Sequence, residues 1–197
     1  MSQNGQRPAR QGNWNVPNLI TVVRILLAPV FVWMLLVDNG ADGALRWAAA
    51  VLFILAIATD GIDGAIARRR NLVTDLGKLL DPIADKVLTG AALVCLSILG
   101  ELWWWVTIVI LVREIGITVW RFVELGDRVI PASRGGKLKT IAQSVAISLY
   151  LVPLWLIVGD WIHVANAVVM AIAVLLTVVS GLEYLWNGFK LSRERAR

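Results

Sequence analysis

Six long apolar segments, separated by short polar connections, constrain this 197-residue chain more than any other feature. Most of them are about 20 residues long, which is the length that a helix needs to cross a bilayer. Since lipid offers no water to backbone N–H and C=O groups, segments that span it have to be helical. The sequence therefore predicts an all-α, polytopic membrane protein with six transmembrane helices. We place these segments at residues 19–37, 44–68, 76–99, 102–124, 138–158 and 161–186.

Composition supports one membrane domain with polar ends. Hydrophobic residues make up 58% of the chain and the mean hydropathy is +0.71, which is more apolar surface than a soluble domain of this size can bury. We expect a polar arm at 1–18, a six-helix domain at 19–189 and a basic tail at 190–197. No convincing small-x-small cleavage site follows the first apolar segment, so we interpret that segment as a retained span.

The distribution of Lys and Arg predicts the orientation. A net charge of +5 could indicate nucleic acid, but basic residues also collect at the cytoplasmic ends of spanning helices, and we favour that explanation. If the N-terminus is cytoplasmic, the outer connections carry no Lys or Arg, and Arg46 is the one candidate near that side. We therefore expect both termini in the cytoplasm, a multi-pass location in the plasma membrane, and no nucleic-acid partner.

Four aspartates at helical spacing lie where the second segment ends and the third begins. Asp60 and Asp63 are three positions apart, and Asp81 and Asp85 are four apart, so each pair shares a helix face. Carboxylates at membrane depth cost roughly 2.5–3.5 kcal/mol each, and facing carboxylates repel each other. Divalent cations remove that penalty, and oxygen-only ligands favour Mg²⁺ or Mn²⁺. Pairing with nearby Arg and Lys is the alternative explanation, and the spacing favours two divalent cations at a cytoplasmic site.

The single cysteine and the single histidine narrow the chemistry further. Cys95 alone cannot form an internal disulfide or a multi-thiolate zinc site. His163 alone argues against a His-based metal site and against a Ser-His or Cys-His catalytic pair. A carboxylate that the cations engage only partly could take the proton of an attacking hydroxyl.

The stretch from Asp60 to Asp85 resembles the signature of the CDP-alcohol phosphatidyltransferase family. That resemblance implies an enzyme that joins a CDP-linked lipid to a small alcohol and releases CMP, and it implies a homodimer. All fixed positions of the signature are present: Asp60, Asp63, Gly64, Ala67, Arg68, Gly77, Asp81 and Asp85.

By position, the resemblance implies a role for each signature residue. Asp60, Asp63 and Asp81 would be metal ligands, and Asp85 would be a metal ligand and the base for the acceptor hydroxyl. The residues implied in binding the CDP group are Asp60, Gly64, Ala67, Arg68 and Gly77.

Two further stretches, residues 15–24 and 129–140, resemble the phosphatidylglycerophosphate synthase branch of that family. This resemblance implies that the phosphatidyl group of CDP-diacylglycerol passes to glycerol 3-phosphate. A phosphate dianion needs cations besides the metals. The candidates to bind it are Arg113, Arg121, Arg134, Lys137 and Lys139.

Other interpretations stay open at this stage. Positive-inside bias or a pair between Arg113 and Glu114 would also explain the candidate cations. Within the family, phosphatidylglycerol, in a cardiolipin synthase, or inositol phosphate could be the acceptor. A divalent-cation transporter would need a polar path to the outer side, and the outer halves of the segments are nearly free of ionisable residues.

Overall fold

The computed structural model describes residues 16–69, 75–124 and 134–195. Over these ranges the chain forms seven α-helices and no strand, so the predicted all-α class is confirmed. Each predicted apolar segment overlaps a helix. The helices are α1 Val16–Asp38, α2 Ala44–Arg69, α3 Asp75–Ile98, α4 Trp104–Glu124, α5 Arg134–Leu151, α6 Trp155–Val158 and α7 Trp161–Arg195.

The fifth segment differs from its prediction. We predicted one helix over residues 138–158, and the structure breaks it after Leu151 into α5 and the four-residue α6. Pro153 explains the break, because proline has no backbone N–H to donate and disfavours helical geometry at the residue before it. Helix α5 also begins earlier than predicted, at Arg134.

The last helix is longer than predicted. We expected it to end at Trp186, and α7 continues to Arg195 for a total of 35 residues. At 1.5 Å per residue it measures about 52 Å, well beyond a hydrocarbon core of roughly 30 Å. The backbone of the predicted basic tail is therefore helical up to residue 195, and its side chains lie outside the described residues.

The helices pack in two groups, which are joined by α5 and by the packing of α3 on α4. Helix α1 packs on α2 and α3, α7 packs on α4, α5 and α6, and α5 also contacts α2 and α3. Large side chains such as Phe31 and Phe53 fill the core, with ring centroids 5.8 Å apart. Small residues let the helix backbones approach closely. The fully buried alanines are Ala49, Ala50, Ala92, Ala146 and Ala173.

The outward surface of the bundle is apolar. Large hydrophobic side chains on it are well exposed, among them Leu26, Val164 and Leu175. Within the described residues two helices are long and apolar enough to cross a membrane, Leu19–Asp38 and Trp161–Trp186. Two further apolar stretches, Ala44–Thr59 and Lys86–Ile98, are shorter than a membrane span. The six-span topology stays a prediction.

Arg46, near the start of α2, connects α2 to the end of α5 and to the connection between α3 and α4. It is fully buried. Its guanidinium donates to both carboxylate oxygens of Glu101 at 2.5 Å. It also donates to the carbonyl oxygens of Tyr150 at 2.7 Å and Leu151 at 2.9 Å. All three guanidinium nitrogens therefore have partners.

An indole and a second carboxylate complete this arrangement. The ring of Trp155 lies 5.4 Å from the guanidinium carbon of Arg46, and its Nε1 donates to Asp42 at 2.8 Å. His163 stacks on the same indole at 4.9 Å between centroids. We refer to Asp42, Arg46, Glu101, Trp155 and His163 as the Arg46 cluster.

Candidate active site

The backbone supports the helical spacing of the four signature aspartates. Asp60 and Asp63 lie in the second half of α2, and Asp81 and Asp85 lie in the first half of α3. Because both helices run unbroken through these positions, residues three or four apart share a face. An all-oxygen donor set of this kind fits Mg²⁺ or Mn²⁺. The aspartate side chains lie outside the described residues, so their roles stay predictions.

The residues predicted to bind the CDP group occupy the same two helices. Gly64, Ala67 and Arg68 lie in α2, and Gly77 lies in α3; their side chains and the connection at 70–74 are outside the described part of the chain. Helices α2 and α3 contact each other, and both also pack on α1. The structure therefore brings the two halves of the signature onto neighbouring helices.

Three cations from three helices converge on the carboxylate of Glu114, and one of them, Lys86, directly follows the signature in sequence. Lys139 of α5 donates to its Oε1. Arg113 of α4 donates Nη1 to the same oxygen at 2.9 Å. Nζ of Lys86 in α3 lies 3.5 Å from Oε2. We refer to Lys86, Arg113, Glu114 and Lys139 as the Glu114 cluster; it gathers three positive charges around one negative charge.

Arg113 links this cluster to α7. Its Nη2 donates to Oγ of Ser180 at 3.0 Å, and that hydroxyl donates to the carbonyl of Thr177 at 3.1 Å. Gly181 makes room for the arginine, because a Cβ at that position would lie 3.2 Å from Cγ of Arg113. The buried Nε of Arg113 has no hydrogen-bond partner among the described residues. Arg113 is thus held by two bonds and by close contact with a glycine.

The Glu114 cluster borders a cavity of about 340 Å³ between α3, α4 and α5. Its walls are mostly apolar, and Lys86, Glu114, Thr118 and Gln143 are among the polar residues that line it. Lys86 is the most exposed member of the cluster, at 26% of its side chain, whereas Lys139 is 4% exposed. Lys86 is the one cation of the cluster that lines this cavity, so a small anion in it would meet Lys86 first.

The structure describes the side chains of three of the five predicted acceptor cations. Arg113 and Lys139 meet at Glu114. Lys137 is exposed on α5. Arg121 and Arg134 belong to α4 and α5, with side chains outside the described residues.

Lys86 was missed by the sequence reasoning as a member of this group. The available signal was a lysine directly after Asp85, well inside an apolar helix, where a charged side chain needs a partner. Glu114 was considered only as a partner of its neighbour Arg113. Its contacts with α3 and α5 depend on tertiary packing.

Comparison with known proteins agrees with the signature. The family model described as CDP-alcohol phosphatidyltransferase matches residues 14–179. A "Probable phosphatidylglycerophosphate synthase" of Mycobacterium tuberculosis (strain ATCC 25618 / H37Rv) is 46% identical over 183 residues, 93% of this chain and 86% of the relative. A protein named "CDP-diacylglycerol--glycerol-3-phosphate 3-phosphatidyltransferase" in Bacillus subtilis (strain 168) is 40% identical over 195 residues, 91% of this chain and 99% of the relative.

The relative of the same name in Escherichia coli (strain K12) is 37% identical over 180 residues, 87% of this chain and 93% of the relative. These matches extend over nearly all of both chains, well beyond the aspartate signature. The chain therefore belongs to the CDP-alcohol phosphatidyltransferase family.

Proposed function

We propose that this protein transfers the phosphatidyl group of CDP-diacylglycerol to glycerol 3-phosphate, giving phosphatidylglycerol phosphate and CMP. The names of the relatives support this reaction. The structural observation that carries the choice of acceptor is the Glu114 cluster, in which cations outnumber the carboxylate. A phosphate monoester carries about −1.5 to −2 charges at neutral pH, so it needs such an excess of positive charge.

The aspartate signature would bind the donor. Asp60, Asp63, Asp81 and Asp85 would hold two divalent cations, Mg²⁺ or Mn²⁺, which would neutralise the diphosphate of CDP-diacylglycerol. Small residues along α2 and α3 would let the nucleotide lie close to the helix backbones. The positions proposed to bind the CDP group are Asp60, Gly64, Ala67, Arg68 and Gly77.

Asp85 would act as the base. It would accept the proton of the primary hydroxyl of glycerol 3-phosphate, and that oxygen would attack the phosphorus that bears diacylglycerol. The bond from this phosphorus to the bridging oxygen would break, and CMP would leave with that oxygen. Arg113 and Lys139 would hold the acceptor phosphate through charge-assisted hydrogen bonds. Arg121, Arg134 and Lys137 would attract the anion from the cytoplasm.

In the membrane, all six apolar segments would cross the bilayer, with both termini in the cytoplasm. The absence of Lys and Arg from the outer connections in the sequence supports this orientation. Trp103, Trp104 and Trp105 are all at least half exposed beside the start of α4, as expected of an aromatic belt. The enzyme would be a plasma-membrane homodimer that takes CDP-diacylglycerol from the inner leaflet.

One assay tests the acceptor. Purified protein is incubated with CDP-diacylglycerol and Mg²⁺ or Mn²⁺, and CMP release is measured with glycerol 3-phosphate, phosphatidylglycerol or inositol phosphate. We expect release to depend on glycerol 3-phosphate. A clear preference for another acceptor would overturn the proposed substrate and leave the family membership intact.

The same assay tests the donor site. Asp60→Asn and Asp81→Asn should each abolish CMP release, because an amide replaces a charged ligand of the divalent cations. Size-exclusion chromatography and thermal melting show whether the variants still fold. Turnover retained in either folded variant would contradict the proposed role of the aspartates.

A further inference from the structure

We infer that Glu114 is a positioning residue for the acceptor, because its carboxylate gathers Lys86, Arg113 and Lys139 into one group that fits a phosphate dianion. This role rests on the proposed function and deepens it in two ways. It adds Lys86 to the residues that bind the acceptor. It also explains how cations from different helices are kept together before the acceptor arrives.

The contacts require an anion at this position. The three cations come from α3, α4 and α5, and each lies within 3.5 Å of one or the other oxygen of the same carboxylate. Like charges this close repel one another strongly in a partly buried site. Without Glu114, rotation of the long side chains of Lys86 and Lys139 would relieve that repulsion. The carboxylate therefore keeps the cations in one place.

The charge of the cluster indicates which acceptor it suits. Three positive charges against one negative charge leave +2 over these four described groups. A phosphate monoester, with about −1.5 to −2 charges, neutralises that excess. A phosphodiester headgroup brings about half as much charge and a free polyol brings none. The cluster should therefore select a phosphate monoester, a preference that the divalent-cation site alone would not create.

The position of the cluster connects it to the reaction. Lys86 directly follows Asp85 in α3, and it lines the cavity between α3, α4 and α5 together with Glu114. Holding Lys86 against Glu114 therefore ties the helix of the proposed base to the helices that carry Arg113 and Lys139. The acceptor phosphate and the base would then keep a constant separation.

A purely structural tie between helices is the competing explanation, and the chain offers a matched control for it. Glu101, in the connection between α3 and α4, is also a carboxylate that pairs with a cation distant in sequence, Arg46 of α2, and it lies at the opposite end of the bundle. Glu114→Gln and Glu101→Gln remove the same charge with the same change of shape. Only the first should affect acceptor binding.

The experiment uses the full chain and measures KM for each substrate, kcat and the thermal midpoint. In Glu114→Gln we expect the KM for glycerol 3-phosphate to rise about tenfold or more, equivalent to ~1.4 kcal/mol, with the KM for CDP-diacylglycerol nearly unchanged. Glu114→Asp, which keeps the charge, should recover part of the loss. Glu101→Gln should lower the thermal midpoint and leave the acceptor KM unchanged.

A folded Glu114→Gln variant with an unchanged or lower acceptor KM would overturn the inference, as would an equal rise in both KM values. If this variant fails to fold, Lys86→Met carries the test, because Lys86 is the most exposed member and its acceptor KM should rise too. An unchanged acceptor KM in Lys86→Met would then overturn it. Failure of the wild-type protein to use glycerol 3-phosphate would instead contradict the proposed function.

Discussion

The Arg46 cluster and the Glu114 cluster combine carboxylates with Arg or Lys in opposite proportions. Arg46 is a single, fully buried cation, and two carboxylates and two carbonyl oxygens surround it. Glu114 is a single carboxylate that three cations share. Every guanidinium nitrogen of Arg46 has a hydrogen-bond partner, whereas the Glu114 cluster has an excess of positive charge. Members of each cluster line a cavity of about 340 Å³.

This difference separates a structural role from a binding role. A buried guanidinium whose three nitrogens are all hydrogen-bonded has little left to offer a ligand, so it contributes to the fold. A group with surplus charge and incomplete hydrogen bonding can gain partners from a ligand. Substitutions in the Arg46 cluster should therefore change stability, and substitutions in the Glu114 cluster should change the use of the acceptor.

The largest expected effect is on stability, in Arg46→Met. Removing the guanidinium leaves the Glu101 carboxylate unpaired, and breaking such a buried pair costs about 3–5 kcal/mol. The thermal midpoint should fall strongly, while the folded fraction keeps its KM for glycerol 3-phosphate. The thermal midpoint of Arg46→Lys should lie between those of the wild type and Arg46→Met, because lysine keeps the charge and loses the bidentate contact with Glu101. If Arg46→Met had the same thermal midpoint as the wild type, the Arg46 cluster would not have the structural role that distinguishes it from the Glu114 cluster.

Lys139→Met should produce the largest kinetic effect among single cations of the Glu114 cluster. Lys139 is the most buried of them, and loss of one charge-assisted hydrogen bond to the phosphate predicts an acceptor KM raised about tenfold or more. Stability should change less than in Arg46→Met, since Glu114 keeps Lys86 and Arg113. Lys137→Met, at an exposed position two residues away, should raise the KM by a smaller factor. A larger rise in the acceptor KM for Lys137→Met than for Lys139→Met would contradict the proposal that Lys139 binds the acceptor phosphate.

The smallest expected effect comes from Gly181→Ala. The added Cβ would lie 3.2 Å from Cγ of Arg113, so the arginine has to shift by a few tenths of an ångström. We expect the acceptor KM to rise about two- to fivefold, less than ~1 kcal/mol. Gly116→Ala is the control, because a Cβ there meets nothing within 4 Å. Equal kinetics in the two variants would show that Arg113 tolerates displacement.

Sequence patterns predicted the helices well where one signal acted alone. The apolar segments located α1 to α4 to within a few residues, and the aspartate spacing placed the signature on two helices. At the fifth segment two signals competed: an apolar stretch long enough to span the membrane and a proline that ends a helix. The prediction follows the length alone, and the backbone follows the proline.

The paired charges were harder to predict because their partners are distant in the chain. Glu101 lies 55 positions from Arg46, and Lys139 lies 25 positions from Glu114. Neither spacing belongs to a helix period, so no local pattern indicates the contact. Arg113 and Glu114 are neighbours in sequence, and that pair alone was anticipated. Which carboxylate meets which cation depends on how α2 to α5 pack.

The break at Pro153 makes the end of α5 a joint between three helices. A helix that ends at Leu151 leaves its last carbonyl oxygens without donors from its own backbone. Side chains of other helices cap them: Asn166 of α7 donates to Leu149 at 3.0 Å, and the guanidinium from α2 caps the next two. If α5 continued past this point, its own backbone N–H groups would donate to those carbonyl oxygens. Asn166 and Arg46 would then lose these contacts, and α7 and α2 would lose their hydrogen bonds to α5.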